Sequence, residues 1–483
     1  MSEKRDLHLI GQPGHGDRLR CGPTARTAAR WTEGEGNMLK GNSRRTRSML
    51  AAALLLCAGI GSNAQGNEAG QGPAGPPKPA ARSIEDLNFQ GGDDAMPPFT
   101  DSLIDVHSTF RQALLRKGMA LRMISGVQYT QNALDGPVPA NQQVYVGQSE
   151  YASSFAQPIF TADLRPLHLE HAQFCFGGAW NWTTWKPAGP KTLQLWALYF
   201  YKAFGQDRVE MKAGYVANNL NFIGLNVGGS TANGAQGVYA VLPFEVGMSY
   251  YPTTAPSLNV RVRGPGNTYF KTSTQRSIDP NGGTAEVTRN HTGFRFTPHG
   301  DKLLLIEEGG YVRAASADAH KAWFRAGYLH NSTAFSNVAT GKPQTNNYCA
   351  YALMDYQLLQ TDREHPGRGL YAGGSVMTAP EAMNPYSRYY EARFYKEAPF
   401  RARPDDVLSV ITSRTDYSKL YTDNLVSQGK TVWRASTTIT GGYSLRASPG
   451  NYLSLAVSYI DGPAISPRVP NALNVIANWT TYF

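Results

Sequence analysis

The sequence predicts an all-β fold, a transmembrane antiparallel β-barrel of about 16 strands around a water-filled lumen, with a short N-terminal helical segment. Three observations carry this. Apolar and polar residues alternate with period two in one stretch after another. The composition is poor in charge (17%) and rich in aromatics (11%), with 26 Tyr and 49 Gly among 483 residues. A short apolar leader stands near the start, and an alternating strand runs to Phe483.

Mean hydropathy is negative, so a bundle of apolar helices is excluded. A barrel reconciles that with the aromatic content, because only alternate residues of each strand face lipid. The formal charge of +10 is concentrated at the start. Residues 1–64 hold 10 Lys/Arg and 5 Asp/Glu, leaving 36 against 31, a net +5. That balance, with no Lys/Arg cluster interleaved with aromatics, argues against nucleic acid as a partner. Cys175 and Cys349 lie far apart without CxxC spacing, which indicates neither a zinc site nor a disulfide framework. One disulfide or two separate buried thiols both remain open.

The apolar run Met49–Ile60 is too short for a spanning helix, which takes about 20 residues. Lys40, Arg44, Arg45 and Arg47 precede it, and Ser62-Asn63-Ala64 follows. A basic region, an apolar region and a small-x-small site make residues 38–64 a secretory signal peptide with cleavage after Ala64. Residues 1–37 read as an N-terminal extension or a mis-assigned start. Residues 65–98 are Gly/Pro-rich with few large apolar side chains and read as a disordered lead-in. The barrel is expected over 99–483.

Between Phe110 and Met123 the segment FRQALLRKGMALRM reads first as helix, then as strand. Further along, Val209, Met211, Ala213 and Tyr215 alternate with Arg208, Glu210, Lys212 and Gly214. Leu258, Val260 and Val262 alternate with Asn259, Arg261 and Arg263. The same reading gives strands at Phe244–Tyr251 and Trp323–Tyr328. In Trp433–Leu445 the odd residues, among them Ile439 and Tyr443, form one face, and Ser and Thr dominate the other. A strand separates residues in this way and a helix does not. Charges on so many wet faces argue for an aqueous channel. Roughly 385 residues at roughly 24 per strand and connection give about 16 strands.

In the last strand Leu473, Val475, Ala477, Trp479, Thr481 and Phe483 share a face. An aromatic terminus on such a strand is the pattern that outer-membrane assembly machinery reads, with Thr481 a departure from it. The expected location is the outer membrane of a Gram-negative bacterium, with its lipid as surroundings.

The segment Tyr389–Val410, YYEARFYKEAPFRARPDDVLSV, resembles the OprB-type carbohydrate-selective porins in its Arg403-Pro404-Asp405-Asp406-Val407-Leu408 run. FRQALLRKGM is similar to that family's opening, and RVEMKAGYV to one of its strands, with Tyr215 where the family carries arginine. GDKLLLIEEGGYVR and WFRAGYLHNSTAF resemble its middle strands in order, while residues 124–190 depart from the pattern. The resemblance implies a sixteen-stranded barrel that passes sugars by facilitated diffusion, without a cofactor.

Several motifs carry other chemistry only weakly. Asp405 and Asp406 follow a proline and suit a turn better than acid/base work. Glu307 and Glu308 are adjacent, so only one can face the pore. On a strand, the three-residue spacing of His168 and His171 would put the rings on opposite faces, which makes no metal site. No GxSxG, HExxH or P-loop occurs, and the chain is not read as an enzyme. Sugars stack C–H faces on aromatic rings and take bidentate bonds from Arg or carboxylates. The candidate pore-lining residues are therefore Arg261, Arg263, Arg325, Arg393, Glu210, Glu245, Glu391, Trp180, Trp182 and Trp185. The first rival reading is a general or other-solute porin linked to polysaccharide handling, the second a barrel-borne enzyme or adhesin. A homotrimer and a monomer both remain open.

Overall fold

The structure is a computed structural model that describes residues 83–92, 96–139, 141–185, 192–223, 242–250, 253–297 and 300–483. The signal segment 38–64 and the extension 1–37 lie outside the described residues. The strands in chain order are β1 Met119–Asn132, β2 Tyr151–Asp163, β3 Ala172–Thr183, β4 Thr192–Phe204, β5 Val209–Val216 and β6 Ala255–Arg263. There follow β7 Thr268–Arg276, β8 Leu303–Arg313, β9 Ala322–Asn331, β10 Phe335–Ser336, β11 Pro343–Gln344 and β12 Asn347–Gln360. The last six are β13 Gly369–Thr378, β14 Tyr386–Glu397, β15 Val407–Tyr417, β16 Ala435–Ser448, β17 Asn451–Asp461 and β18 Ala472–Tyr482.

β10 and β11 form a small separate hairpin; the other sixteen strands make one closed barrel. All its neighbours are antiparallel, and β1 closes the ring by pairing both β2 and β18, with Ile124 opposite Gln157 and Tyr482. Closure leaves no sheet edge, which a lipid environment demands. Connections alternate in length. β16 to β17 turns through Pro449-Gly450, whereas β5 to β6 takes residues 217–254. Short turns at the end that carries the start of β1 and the end of β18, and long loops opposite, are the pattern of outer-membrane barrels.

The period-two reading holds at residue level. Ile439, Leu455, Val457, Tyr459 and Val475 point outward and are exposed, while Thr438, Thr440, Ser454, Ser458 and Asn474 between them are buried. The helix predicted near Phe110 is Thr109–Arg116, capped by Ser108, whose side chain accepts from the Arg111 amide. Cys175 on β3 and Cys349 on β12 are separate buried thiols.

Two expectations are corrected. The described part of the expected strand at Phe244, residues 244–250, is not a strand: Leu242–Glu245 is a helical turn, followed by Gly247 at φ +100. The alternation there is local packing, with the Phe244 and Tyr250 rings stacked at 4.3 Å. Nor is the lead-in wholly disordered. Ile84–Leu87 forms a 3-10 turn with a capping box on Ser83, and Ile84 and Leu87 are buried with Phe99 and Ala120.

One stretch of wall is unusual. β4 has 13 residues and β5 only 8, and their pairing stops at Leu198 and Tyr215. Beyond that point the chain leaves the wall. The β7–β8 loop fills the space: the Leu195 amide donates to the Thr292 carbonyl at 3.1 Å, and Gln194 Nε2 to the Asn290 carbonyl at 3.2 Å.

Candidate functional site

The loop that leaves the wall after β5 turns into the lumen. Phe222, Ile223, Leu242, Val246 and Met248 are buried in one cluster with Leu304, Ile306, Leu329 and Leu353. Strand parity puts those four leucine and isoleucine partners on the inner faces of β8, β9 and β12. Inward-pointing charges hold the entering backbone. Lys271 donates to the Asn221 carbonyl at 2.6 Å. Arg325 donates to the carbonyls of Phe222 and of Ile223, the latter at 3.0 Å. Lys212 reaches Asn221 Oδ1 at 2.9 Å. Asn218 sits wholly buried and donates to Ser273 Oγ at 2.9 Å and Gln275 Oε1 at 2.8 Å. The described stretches of the loop, 217–223 and 242–250, lie against the inner face, and the first is tied to β5, β7 and β9.

Five of the ten candidate residues come together in two groups, and Arg325 stands apart from both. Glu210, Arg261 and Arg263 come together at the short-turn end of β5 and β6. Arg263 Nε donates to Glu210 Oε1 at 3.2 Å, and Arg261 Nη1 lies 3.5 Å from Glu210 Oε2. The Arg263 side chain remains 54% exposed, which leaves it accessible to solute. Arg393 and Glu391 also come together, with Asp355 as a third member: Arg393 Nη2 is 2.7 Å from Asp355 Oδ2, and Nη1 is 2.6 Å from Glu391 Oε1. Arg393 is fully buried and bonded also to Ser375 Oγ and the Met354 carbonyl. It braces the wall instead of presenting a free guanidinium. Arg325, predicted to line the pore, is likewise buried and serves as a loop anchor.

Four candidates change place. Trp180 pairs across the sheet with Leu193, which is 72% exposed, and is itself 46% exposed on the outer face. Its parity partner Trp182 shares that outer face. Both rings face away from the lumen, on the side where outer-membrane barrels carry aromatic girdles. Trp185 lies beyond β3, buried, its carbonyl accepting from the Thr183 hydroxyl at 3.0 Å. Glu245 closes the helical turn of the in-folded loop and sits on no strand.

Other members were not singled out from sequence. Glu308 is the inward carboxylate of the Glu307-Glu308 pair; it faces Lys271 at 2.7 Å and accepts from the Tyr269 and Tyr351 hydroxyls at 2.9 and 2.7 Å. The inner faces of β15 to β18 carry small polar side chains, Ser409, Ser413, Ser436, Thr438, Ser458 and Thr480 among them. The wall is thus ionic and aromatic on one side and hydroxyl-lined on the other. His168 and His171 lie in the β2–β3 turn, both with positive φ.

Asp405 and Asp406 occupy the β14–β15 turn. Arg403 Nε donates to Asp406 at 2.8 Å, and Arg446 reaches both Asp405 at 2.9 Å and Asp101 at 2.8 Å. The turn is thereby clamped to the segment before β1, a structural role.

A closed sixteen-stranded barrel with a long loop bound inside its lumen is the architecture of a porin. The pattern of the carbohydrate-selective porin, OprB family, matches residues 124–478, and the chain belongs to that family. The high-pH structure of Pseudomonas putida OprB superposes with a TM-score of 0.65 at 14% identity, covering 79% of this chain and 98% of that one. The low-pH structure of the same protein gives 0.50 at 12% identity with the same coverage. A comparison with curated proteins gives no match.

Proposed function

We propose that this chain is a passive outer-membrane channel of a Gram-negative bacterium for mono- and small oligosaccharides, moved down their concentration gradient. Family membership supplies the solute class; the observation that carries the reading is the two-sided wall facing the in-folded loop. Along β5 to β7, Glu210, Arg261 and Arg263 offer both donors and acceptors to a hydroxylated solute. The two arginines share the single Glu210 carboxylate, so the patch keeps a net positive charge while it presents both donors and acceptors. On β15 to β18 the inner hydroxyls bond with one another, Thr440 with Ser458 at 2.8 Å and Ser444 with Ser454 at 3.0 Å, which keeps that side of the wall uncharged. The Tyr201 ring lies beside Glu210 and Arg263 in one cleft, where a sugar C–H face can stack. Arg325, Lys271 and Lys212 act indirectly by fixing the loop, and so the bore.

The lipid contacts of the outer face, use of the assembly machinery and a homotrimeric state belong to the same proposal. The test is a planar bilayer held at constant salt. Glucose or maltose should titrate the conductance down in a saturable way. Glycan hydrolysis by the purified barrel would sink the reading.

A further inference from the structure

The segment before β1 does more than lead into the barrel. Residues 87–91 cross the inner faces of four successive strands. The Thr161 hydroxyl donates to the Leu87 carbonyl at 2.6 Å, Gln173 Nε2 to that of Asn88 at 2.9 Å, the Tyr199 hydroxyl to that of Gln90 at 3.3 Å, and Lys212 Nζ to that of Gly91 at 2.8 Å. Phe89 packs against Trp196 and Tyr199 with ring centroids 5.4 and 5.6 Å away, and Lys212 sits 5.2 Å over its face. Gly91 has φ +74, and a Cβ there would meet Lys212 and Tyr201 at 2.9 Å. The segment is a strap fastened inside the wall at the short-turn end.

Between the strap and the turns below it lies a cleft of about 530 Å³, within the size range of small-molecule sites. Its lining includes Asp86 and Gln90 from the strap, Tyr201, Glu210 and Arg263 from the wall, and Glu170 from the β2–β3 turn. The cations are already matched: Arg263 by Glu210, and Arg165 by Asp163 at 2.6 Å. Asp86, Glu170 and Asp207, the last 3.7 Å from His171, remain as further carboxylates, so the acidic groups of the lining outnumber its two arginines. Such a cleft repels anions and suits a neutral ligand with many hydroxyl donors, with the Tyr201 ring as an apolar floor.

We infer that the strap builds a second carbohydrate site at the short-turn mouth, apart from the in-folded loop, and that this site takes a neutral hexose or disaccharide. The inference rests on the carbohydrate reading above. The site would hold a sugar leaving the channel and retain it at the exit.

The experiment uses the full-length mature protein in a planar bilayer. Maltose is titrated from each side separately, and sugar-induced current noise gives the affinity per side. Gln90→Ala and Glu170→Gln are each expected to weaken binding from one side only, about fivefold, the size of one lost hydrogen bond. The Glu170 carboxylate has no hydrogen bond or ion pair to the strap among the described residues, so its variant keeps the test sharp even if Gln90→Ala displaces the strap. If both variants titrate like the parent from both sides, the exit site does not exist. If the anionic sugar acid gluconate binds more tightly than maltose on the affected side, the assigned ligand class is wrong. A parent channel that responds to no sugar from either side overturns the carbohydrate reading itself, and the exit site with it.

Discussion

Lys271 and Glu308 face each other at 2.7 Å across β7 and β8, their side chains 6% and 0% exposed. The pair is buried yet fully employed. Lys271 also holds the Asn221 carbonyl, and Glu308 accepts from Tyr269 and Tyr351. Removing one partner of such a pair strands a buried charge, which costs about 3–5 kcal/mol. Glu308→Gln should lose stability on that scale in urea unfolding followed by tryptophan fluorescence. Replacing both, Lys271→Met with Glu308→Leu, should recover most of it. A single variant as stable as the parent would show that the pair does not brace the barrel.

Arg325 bears on the bore. Its guanidinium is tied to the Phe222 and Ile223 carbonyls and stacks 3.7 Å over Trp323. Arg325→Ala leaves buried carbonyls without donors, at about 1–3 kcal/mol each. The loop should loosen, single-channel conductance should rise and sugar affinity should fall. Unchanged conductance would mean that the loop is held by other contacts.

On the outer face, Val457 in the middle of β17 is 47% exposed. Val457→Arg should cost about 2–4 kcal/mol if it lies near the bilayer midplane. A substitution of the neighbouring inward Ser458 to Asn should cost far less. Unfolding from lipid vesicles compares them, and equal costs would contradict the assigned faces.

The β7–β8 loop carries a pH-sensitive carboxyl. Burial, and next the charge of Glu286, push Asp301 up to about 6, against the pull of Arg276, which is bonded more closely to Glu286 than to Asp301. For an acid whose folded pKa is raised, the contribution to stability is full below the unfolded value and is lost as pH rises toward the folded one. Loop 277–302 should therefore open more readily at pH 7.5 than at pH 4, read as weaker hydrogen-exchange protection once intrinsic rates are corrected. Asp301→Asn should remove most of the difference. Protection that rises with pH would contradict the assignment.

Much of the barrel was legible because strand parity is a local property. Ile439, Val457 and Arg325 each fall on the predicted face from their immediate neighbours alone. The pairings were not legible, since Lys271 meets Glu308 only through the register of β7 against β8. Trp180 was legible and misassigned: Phe174, Phe176, Trp180 and Trp182 share one parity, and the buried Cys175 and Ala179 hold the other, so the aromatic face of β3 is the outer one. Phe244 to Tyr250 alternates by accident of a turn that contains Pro243 and Gly247. Nothing local in the Gly/Pro-rich lead-in announces the strap, whose partners Thr161 and Lys212 lie 74 and 121 residues further along the chain.

The central claim is that this barrel selects for neutral sugars and does not sieve by size alone. Liposome swelling across a panel of sugars and non-sugar solutes of matched size tests it most directly. Glucose and maltose should enter faster than their size-matched counterparts. Rates that follow solute size, with no advantage for sugars, would contradict it.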